Sequence, residues 1–300
     1  MHAFLIMVHN NSYVFFENLR LIDSPQADIY VHVDRKFKDF DYDRARELVK
    51  MSELNFIEDR VNVKWGAYSQ ILAELLLLKA ASKKKEYDYF HLISGSDLLI
   101  KPVSNIVKIC NESNGTIFLD SRKLDKKQDT KLYQRVAVSH VLVNYFGSRY
   151  KLASVFARLV DKIQTDFKFY FLKQDTVKRK NITPYFGANW FSLPNDAAKF
   201  LLDHRKGVRD IFSKRRNADE LFVQTILGNE EAFKNRLSNP RRFIDWSAGL
   251  AHPKILTMAD YERIMNSDAF FARKFDATVD KAVIDKITLG VRDKNYEGEV

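Results

Sequence analysis

The stretch AFLIMVHNNSYVFFENLRLIDSPQADIYVHVD, Ala3 to Asp34, decides the fold class. Ala3 to His9 is an apolar run of strand length, closed by polar Asn10-Asn11-Ser12. YVFFENLRLI then reads as a helix and Asp28 to Asp34 as a second buried strand. The alternation continues: a helix over Arg44–Met51, one or two short strands within Asn55–Gly66, a helix over Tyr68–Ser82 and a strand over Tyr87–Ser94. Strands alternating with helices predict an α/β protein with a mostly parallel central sheet flanked by helices. Such sheets bind ligands beyond the carboxyl ends of their strands. Those ends carry His9-Asn10, Asp34-Arg35-Lys36 and Ser94-Gly95-Ser96-Asp97.

The middle of the chain changes character. Residues 122–136 are strongly basic, and 143–173 mix aromatics with cations. This segment reads either as an interfacial amphipathic helix gripping anionic lipid or as a helix pair packed on the core with a solvated basic face. From Ile182 order resumes with TPYFGANWFSLP, a helix from Asn195 to Asp203, and NADELFVQTIL on another helix. With no internal repeat and no Gly/Ser linker, one domain with a mid-chain insertion is the economical expectation.

Composition narrows the partners. Lys and Arg exceed Asp and Glu by 49 − 39 = 10, which favours anionic ligands: phosphates, nucleic acid or an acidic membrane surface. A single cysteine, Cys110, excludes an intramolecular disulfide and a multi-cysteine zinc site. No signal peptide or apolar run of transmembrane length is found, so a cytoplasmic protein is expected, with peripheral contact on the inner face of the plasma membrane as an option.

Several residues are chemically suggestive. Asp219-Glu220 open an apolar helix, where acidic residues suit the macrodipole and Asn217 or Asp219 could cap; a carboxylate there could equally serve as a general base. Trp65, Trp190 and Trp246 each read as a core anchor or a platform under a sugar ring. There is no HExxH pattern, P-loop or GxGxxG. Asp41-Tyr42-Asp43 has the letters of a DxD metal motif but follows a loop rather than a strand end. No metal and no cofactor are therefore expected, and any bound diphosphate must be neutralised by side-chain cations. FFARKFD, Phe270 to Asp276, holds such a pair, Arg273 and Lys274, among phenylalanines. They are either snorkelling cations on a packed edge or anchored charges awaiting an anion.

Read in order, YVHVDRK (Tyr30–Lys36), VKWGAYSQ (Val63–Gln70), FHLISGSDLLIKP (Phe90–Pro102), GANWFSL (Gly187–Leu193), ADELFVQTIL (Ala218–Leu227), FIDW (Phe243–Trp246), HPK (His252–Lys254) and FFARKFD resemble glycosyltransferase family 14, the Branch family. That family contains core-2 and I-branching β-1,6-N-acetylglucosaminyltransferases and peptide O-xylosyltransferases. The resemblance implies a GT-A-type fold and an inverting, metal-independent transferase using a UDP-sugar donor and a glycan acceptor. It implies that Glu220 is the catalytic base and that Arg273 and Lys274, with Lys254 nearby, neutralise the diphosphate. His9, Asp34, Trp65, Gly66 and Asp97 fall on the nucleotide-sugar side, and Trp190, Asp219, Asp245 and Trp246 on the acceptor side. Within the single domain, 1–120 would be the nucleotide-sugar half, 121–181 a variable helical insertion facing acceptor or membrane, and 182–300 the acceptor and catalytic half. Animal members are cysteine-rich; this chain looks like a bacterial member building capsule, exopolysaccharide or lipopolysaccharide on a lipid-linked acceptor. Two other readings are a glycan- or lipid-binding module that has lost catalysis, and a basic nucleic-acid-binding protein. The latter lacks any reader motif, so no nucleic-acid partner is expected.

Overall fold

The computed structural model describes residues 1–147, 150–249 and 252–297. Its strands are β1 (His2–Val8), β2 (Ala27–Val33), β3 (Leu54–Phe56), β4 (Tyr89–Ser94), β5 (Leu98–Leu99), β6 (Ile117–Leu119), β7 (Arg122–Lys123), β8 (Tyr185–Phe186), β9 (Phe191–Pro194), β10 (Leu237–Ser238), β11 (Arg242–Ile244) and β12 (Phe271–Arg273). The central sheet runs in the order β10-β6-β9-β4-β1-β2-β3. β1 lies parallel between β2 and β4, while β9 is antiparallel to both β4 and β6.

Two cores cover the two faces. Along β1, Phe4, Ile6 and Val8 enter one core and Ala3 and Leu5 the other, the period-two alternation of a strand buried on both sides. Helix Tyr13–Ile22 packs in the first core; the Ser12 side chain caps it by accepting from Phe15 N at 3.1 Å. Helix Ser69–Lys84 packs Ile71, Leu75 and Leu78 in the second.

β11, β12 and β5 form a small second sheet with β12 in its centre. Its phenylalanines, Phe270 and Phe271, and Phe275 just beyond, all join the first core. Burying each contributes about 2 kcal/mol, which holds the segment firmly. FFARKFD is therefore not an exposed edge, because β12 has a partner strand on either side.

Several boundaries fall where the sequence puts them, including Tyr13–Ile22 and Asn195–Asp203. Others move. Within Asn55–Gly66 the strand stops at Phe56. NADELFVQTIL is not one helix: a 3-10 turn, Ala218–Glu220, precedes a helix over Phe222–Gly228. Asn217 does not cap it, since its φ of 46° is left-handed and its N–H is taken by the Gly66 carbonyl at 2.8 Å. The Asp41 side chain caps helix Tyr42–Leu48 by accepting from Arg44 N, so Asp41-Tyr42-Asp43 has a structural task.

β7 and β8 pair antiparallel and close the base of the inserted segment. Between them lie helices Thr130–Ala137, Lys151–Asp166 and Thr176–Lys180. Among the described residues no helix is long and apolar enough to cross a membrane.

Candidate active site

A cleft of about 1210 Å³ opens at the carboxyl ends of β1, β2 and β4. His9, Asp34, Ser94, Gly95 and Ser96 line its floor, where a parallel sheet of this kind is expected to bind. Trp65, Trp190, Asp219, Glu220, Trp246, Arg273 and Lys274 complete the wall. Residues separated by more than two hundred positions thus converge on one site. Trp65 and Trp246 are 51% and 54% exposed, which corrects the core-anchor reading for both.

Glu220 arrives from the layer on the second core, whose members include Ala218 and Leu221. Two distant motifs, GANWFSL and VKWGAYSQ, clamp its turn. Gly187 N donates to the Glu220 carbonyl at 3.1 Å, and Gly187 must be glycine because a Cβ there would stand 1.9 Å from the Asp120 carbonyl oxygen. Gln70 Nε2 donates to Asp219 Oδ2 at 3.1 Å, while Gln70 Oε1 accepts from Gly66 N at 2.7 Å. Gly66 itself has a φ of +71°, a conformation suited to glycine. Gly66 therefore supports the turn and does not itself line the cleft.

The carboxyls here are not ordinary. Burial, helped by the Glu220 charge, pushes Asp219 up to about 7. Behind it Glu74 is fully buried, and burial together with the Asp219 charge raises its pKa well above the usual carboxylate value. Glu220 is half-buried; desolvation raises its pKa against the pull of Arg135, whose Nη1 donates to Oε2 at 2.8 Å. Arg135, Gln70, Glu74 and Asn189, whose Nδ2 donates to Glu74 Oε1 at 3.4 Å, do not stand out in the sequence. The usable signal was Glu74, a lone acid in the apolar run ILAELLLLK, four residues beyond Gln70 and so on one helix face.

The cations come from the opposite layer, in β12 and its continuation. Ile100 N donates to the Phe270 carbonyl at 3.0 Å, Leu256 N to Lys274 O at 2.8 Å and Phe275 N to Ser96 O at 2.9 Å. The segment is thus fixed on both sides of the Arg-Lys pair. The Arg273 guanidinium lies 4.3 Å from the Trp190 ring centroid, and its Nε is 3.3 Å from Asp97 Oδ1. Arg273 Nε and Nη1 are buried without a hydrogen bond among the described residues. Lys274 stands near His9. Partial desolvation in the cleft lowers the His9 pKa, with Asp34 opposing and Lys274 and Lys36 assisting.

Three further expectations are corrected. Asp97 is 3% exposed and accepts from Ser94 N, so it braces the strand end and Arg273 instead of meeting a ligand. Lys254 Nζ is held by both Asp260 oxygens at 2.8 and 2.9 Å, away from the cleft lining. Asp245 accepts from Ser247 and pairs with Arg263 at 3.2 Å, contacts that hold its carboxyl at about 2 and occupy it. Its backbone carbonyl accepts from Lys254 N at 2.8 Å, which ties FIDW to HPK. Elsewhere, His2, His91 and Cys110 cluster in the core, where Arg242 contributes positive charge to both His91 and Cys110 and opposes a cation.

The family model for Core-2/I-Branching enzymes matches residues 2–268. The galactosyltransferase LgtC, in complex with donor and acceptor sugar analogues, superposes with a TM-score of 0.45 at 8% identity, covering 97% of this chain and 96% of that one. The apo form of mouse xyloside xylosyltransferase 1 gives 0.39 at 9% identity over 91% and 97%. The bifunctional glycosyltransferase WbbM gives 0.41 at 10% identity over 90% of this chain and 45% of its own. No curated protein matches the chain in sequence. The fold is of the GT-A type, and the molecule is a glycosyltransferase. On the family match, which spans most of its length, the chain belongs to the Core-2/I-Branching enzyme family.

Proposed function

We propose that this glycosyltransferase is inverting and metal-independent, moving GlcNAc, Gal, Glc or Xyl from a UDP-sugar to a glycan hydroxyl. The observation that carries the reading is the meeting of Glu220 from one layer with Arg273 and Lys274 from the other in a single cleft. Glu220 takes the acceptor hydroxyl proton as that oxygen attacks C1 from the face opposite UDP. The C1–O bond to the diphosphate breaks, and UDP leaves with the bonding pair while Arg273 and Lys274 balance its charge. Metal independence is supported by the side-chain cations in the cleft and by Asp97 being engaged with Arg273. Assembly of capsule, exopolysaccharide or lipopolysaccharide in a bacterial cytoplasm rests on the sequence resemblance.

A thermal-shift series with UDP-GlcNAc, UDP-Gal, UDP-Glc and UDP-Xyl tests the donor. The cognate donor at about a hundredfold its Kd adds about 2.7 kcal/mol and raises Tm. EDTA is expected to leave that rise intact; its disappearance would overturn metal independence. If no donor shifts Tm, the reading as a binding module without catalysis gains.

Arg135 tunes the base. Its guanidinium lowers the Glu220 pKa against desolvation. In Arg135→Ala this pull is lost, the pKa climbs further, and the acid limb of the kcat/KM profile moves to higher pH. An unmoved limb in a folded variant would detach Arg135, or Glu220, from the proton transfer.

A further inference from the structure

We propose that the outward face of helix Lys151–Asp166, with its continuation to Phe171, docks on an anionic lipid bilayer and holds the cleft mouth at that surface. Leu152, Phe156, Leu159, Ile163, Phe167 and Phe171 recur at helical spacing and are all exposed, Leu152 at 87% and Phe171 at 76%. A contiguous apolar stripe of this kind is unusual on a soluble surface and marks an interaction site.

The helix cannot roll to hide it. Its inner face is Ala157, Asp161 and Thr165, and fully buried Asp161 is held by Arg216 Nη1 at 3.0 Å and His140 Nδ1 at 2.9 Å. Breaking that anchor would leave a buried charge unpaired, which is costly.

Charge selects the occupant. Lys151, Arg158 and Lys162 are exposed on the same helix, and Lys173, Lys178, Arg179 and Lys180 follow, also exposed. Between Val141 and Lys173 the acids are Asp161, buried and paired, and Asp166. A second copy docked through this face about a two-fold axis would bring like cations together. An anionic bilayer instead accepts the apolar stripe at its acyl boundary and the cations at its phosphates.

The surface is continuous with the active cleft. Asn144 and Gly147, just before the helix, line that cleft. The Arg158 guanidinium lies 5.9 Å from the ring of Trp65 at the cleft wall and donates to the Phe146 carbonyl at 3.2 Å. Docking therefore brings the site to a membrane-borne acceptor. That consequence rests on the transferase reading; the docking itself does not.

The test is co-sedimentation with phosphatidylglycerol–phosphatidylcholine vesicles and with pure phosphatidylcholine, for the full chain and for Leu152→Ser/Leu159→Ser/Phe171→Ser. The wild type is expected to sediment with the anionic vesicles and to be released by high salt. The triple variant, with an unchanged circular dichroism spectrum and melting transition, is expected to bind at least about tenfold more weakly. It should keep full transfer to a water-soluble acceptor. Failure of the wild type to sediment, or equal sedimentation of the variant, overturns the proposal. So does a lipid-free wild-type dimer that the triple substitution dissociates. Activity separates the two readings: vesicle binding without transfer spares the docking, and transfer without vesicle binding spares the enzyme.

Discussion

Glu220→Gln is expected to lower kcat by about 10²–10⁴-fold while UDP binding is unchanged. Glutamine keeps the shape and can still accept from Arg135 Nη1, so the turn clamped by Gly66, Gly187 and Gln70 stays in place. What is lost is the group proposed to take the acceptor proton. Arg273 and Lys274, the cations proposed to meet the diphosphate, come from the other layer of the fold and do not pass through this turn. Neighbouring Asp219 is the natural competitor for the role. Its pKa stands at about 7 partly because Glu220 is charged, so the substitution makes Asp219 easier to ionise. Asp219 is nonetheless 7% exposed, with one oxygen on Gln70, and is poorly placed to reach an acceptor. Single-turnover transfer measured beside UDP titration checks the split. Full turnover in Glu220→Gln would remove Glu220 from the mechanism, and a matching loss in Asp219→Asn would move the role there.

How much of this was legible depended on whether the cause was local. The β1–helix–β2 unit and the helix at Asn195–Asp203 could be read because apolar periodicity and chain punctuation specify them. The DE turn could not, because its conformation is imposed by Gly66, Gly187 and Gln70 from elsewhere in the chain. Lys254 and Asp97 illustrate the same limit in the site. Each is a charged residue in a suggestive motif, yet Asp260 and Arg273 occupy them in space. Sequence order shows which charges are nearby in the chain, not which already have partners. The two alternatives for the exposed tryptophans stayed open for the converse reason: nothing local reveals that the surface beside Trp65 and Trp246 is a cleft.

The second large effect separates the two cations of FFARKFD. Lys274→Ala is expected to weaken UDP binding by about 10–100-fold with Tm unchanged, the usual worth of a charge-assisted contact to phosphate. Lys274 lines the cleft, and its ammonium makes no salt bridge among the described residues; the carboxylate it acts on, Asp276, is not buried, so removing it leaves no buried charge unpaired. Arg273→Ala should behave differently. Its guanidinium packs on Trp190 and pairs with Asp97, which is 3% exposed. Truncation leaves that carboxylate buried without its partner, a loss of about 3–5 kcal/mol in stability. Arg273→Lys keeps a charge but not the planar group over Trp190, so it should recover part of the stability and little of the orientation. Pairing Arg273→Ala with Asp97→Asn decides whether Arg273 is chiefly a phosphate ligand. If the double variant regains Tm but still binds UDP poorly, Arg273 meets the diphosphate directly. If it regains both, Arg273 acts by bracing the strand ends, and Lys274 alone faces the leaving group.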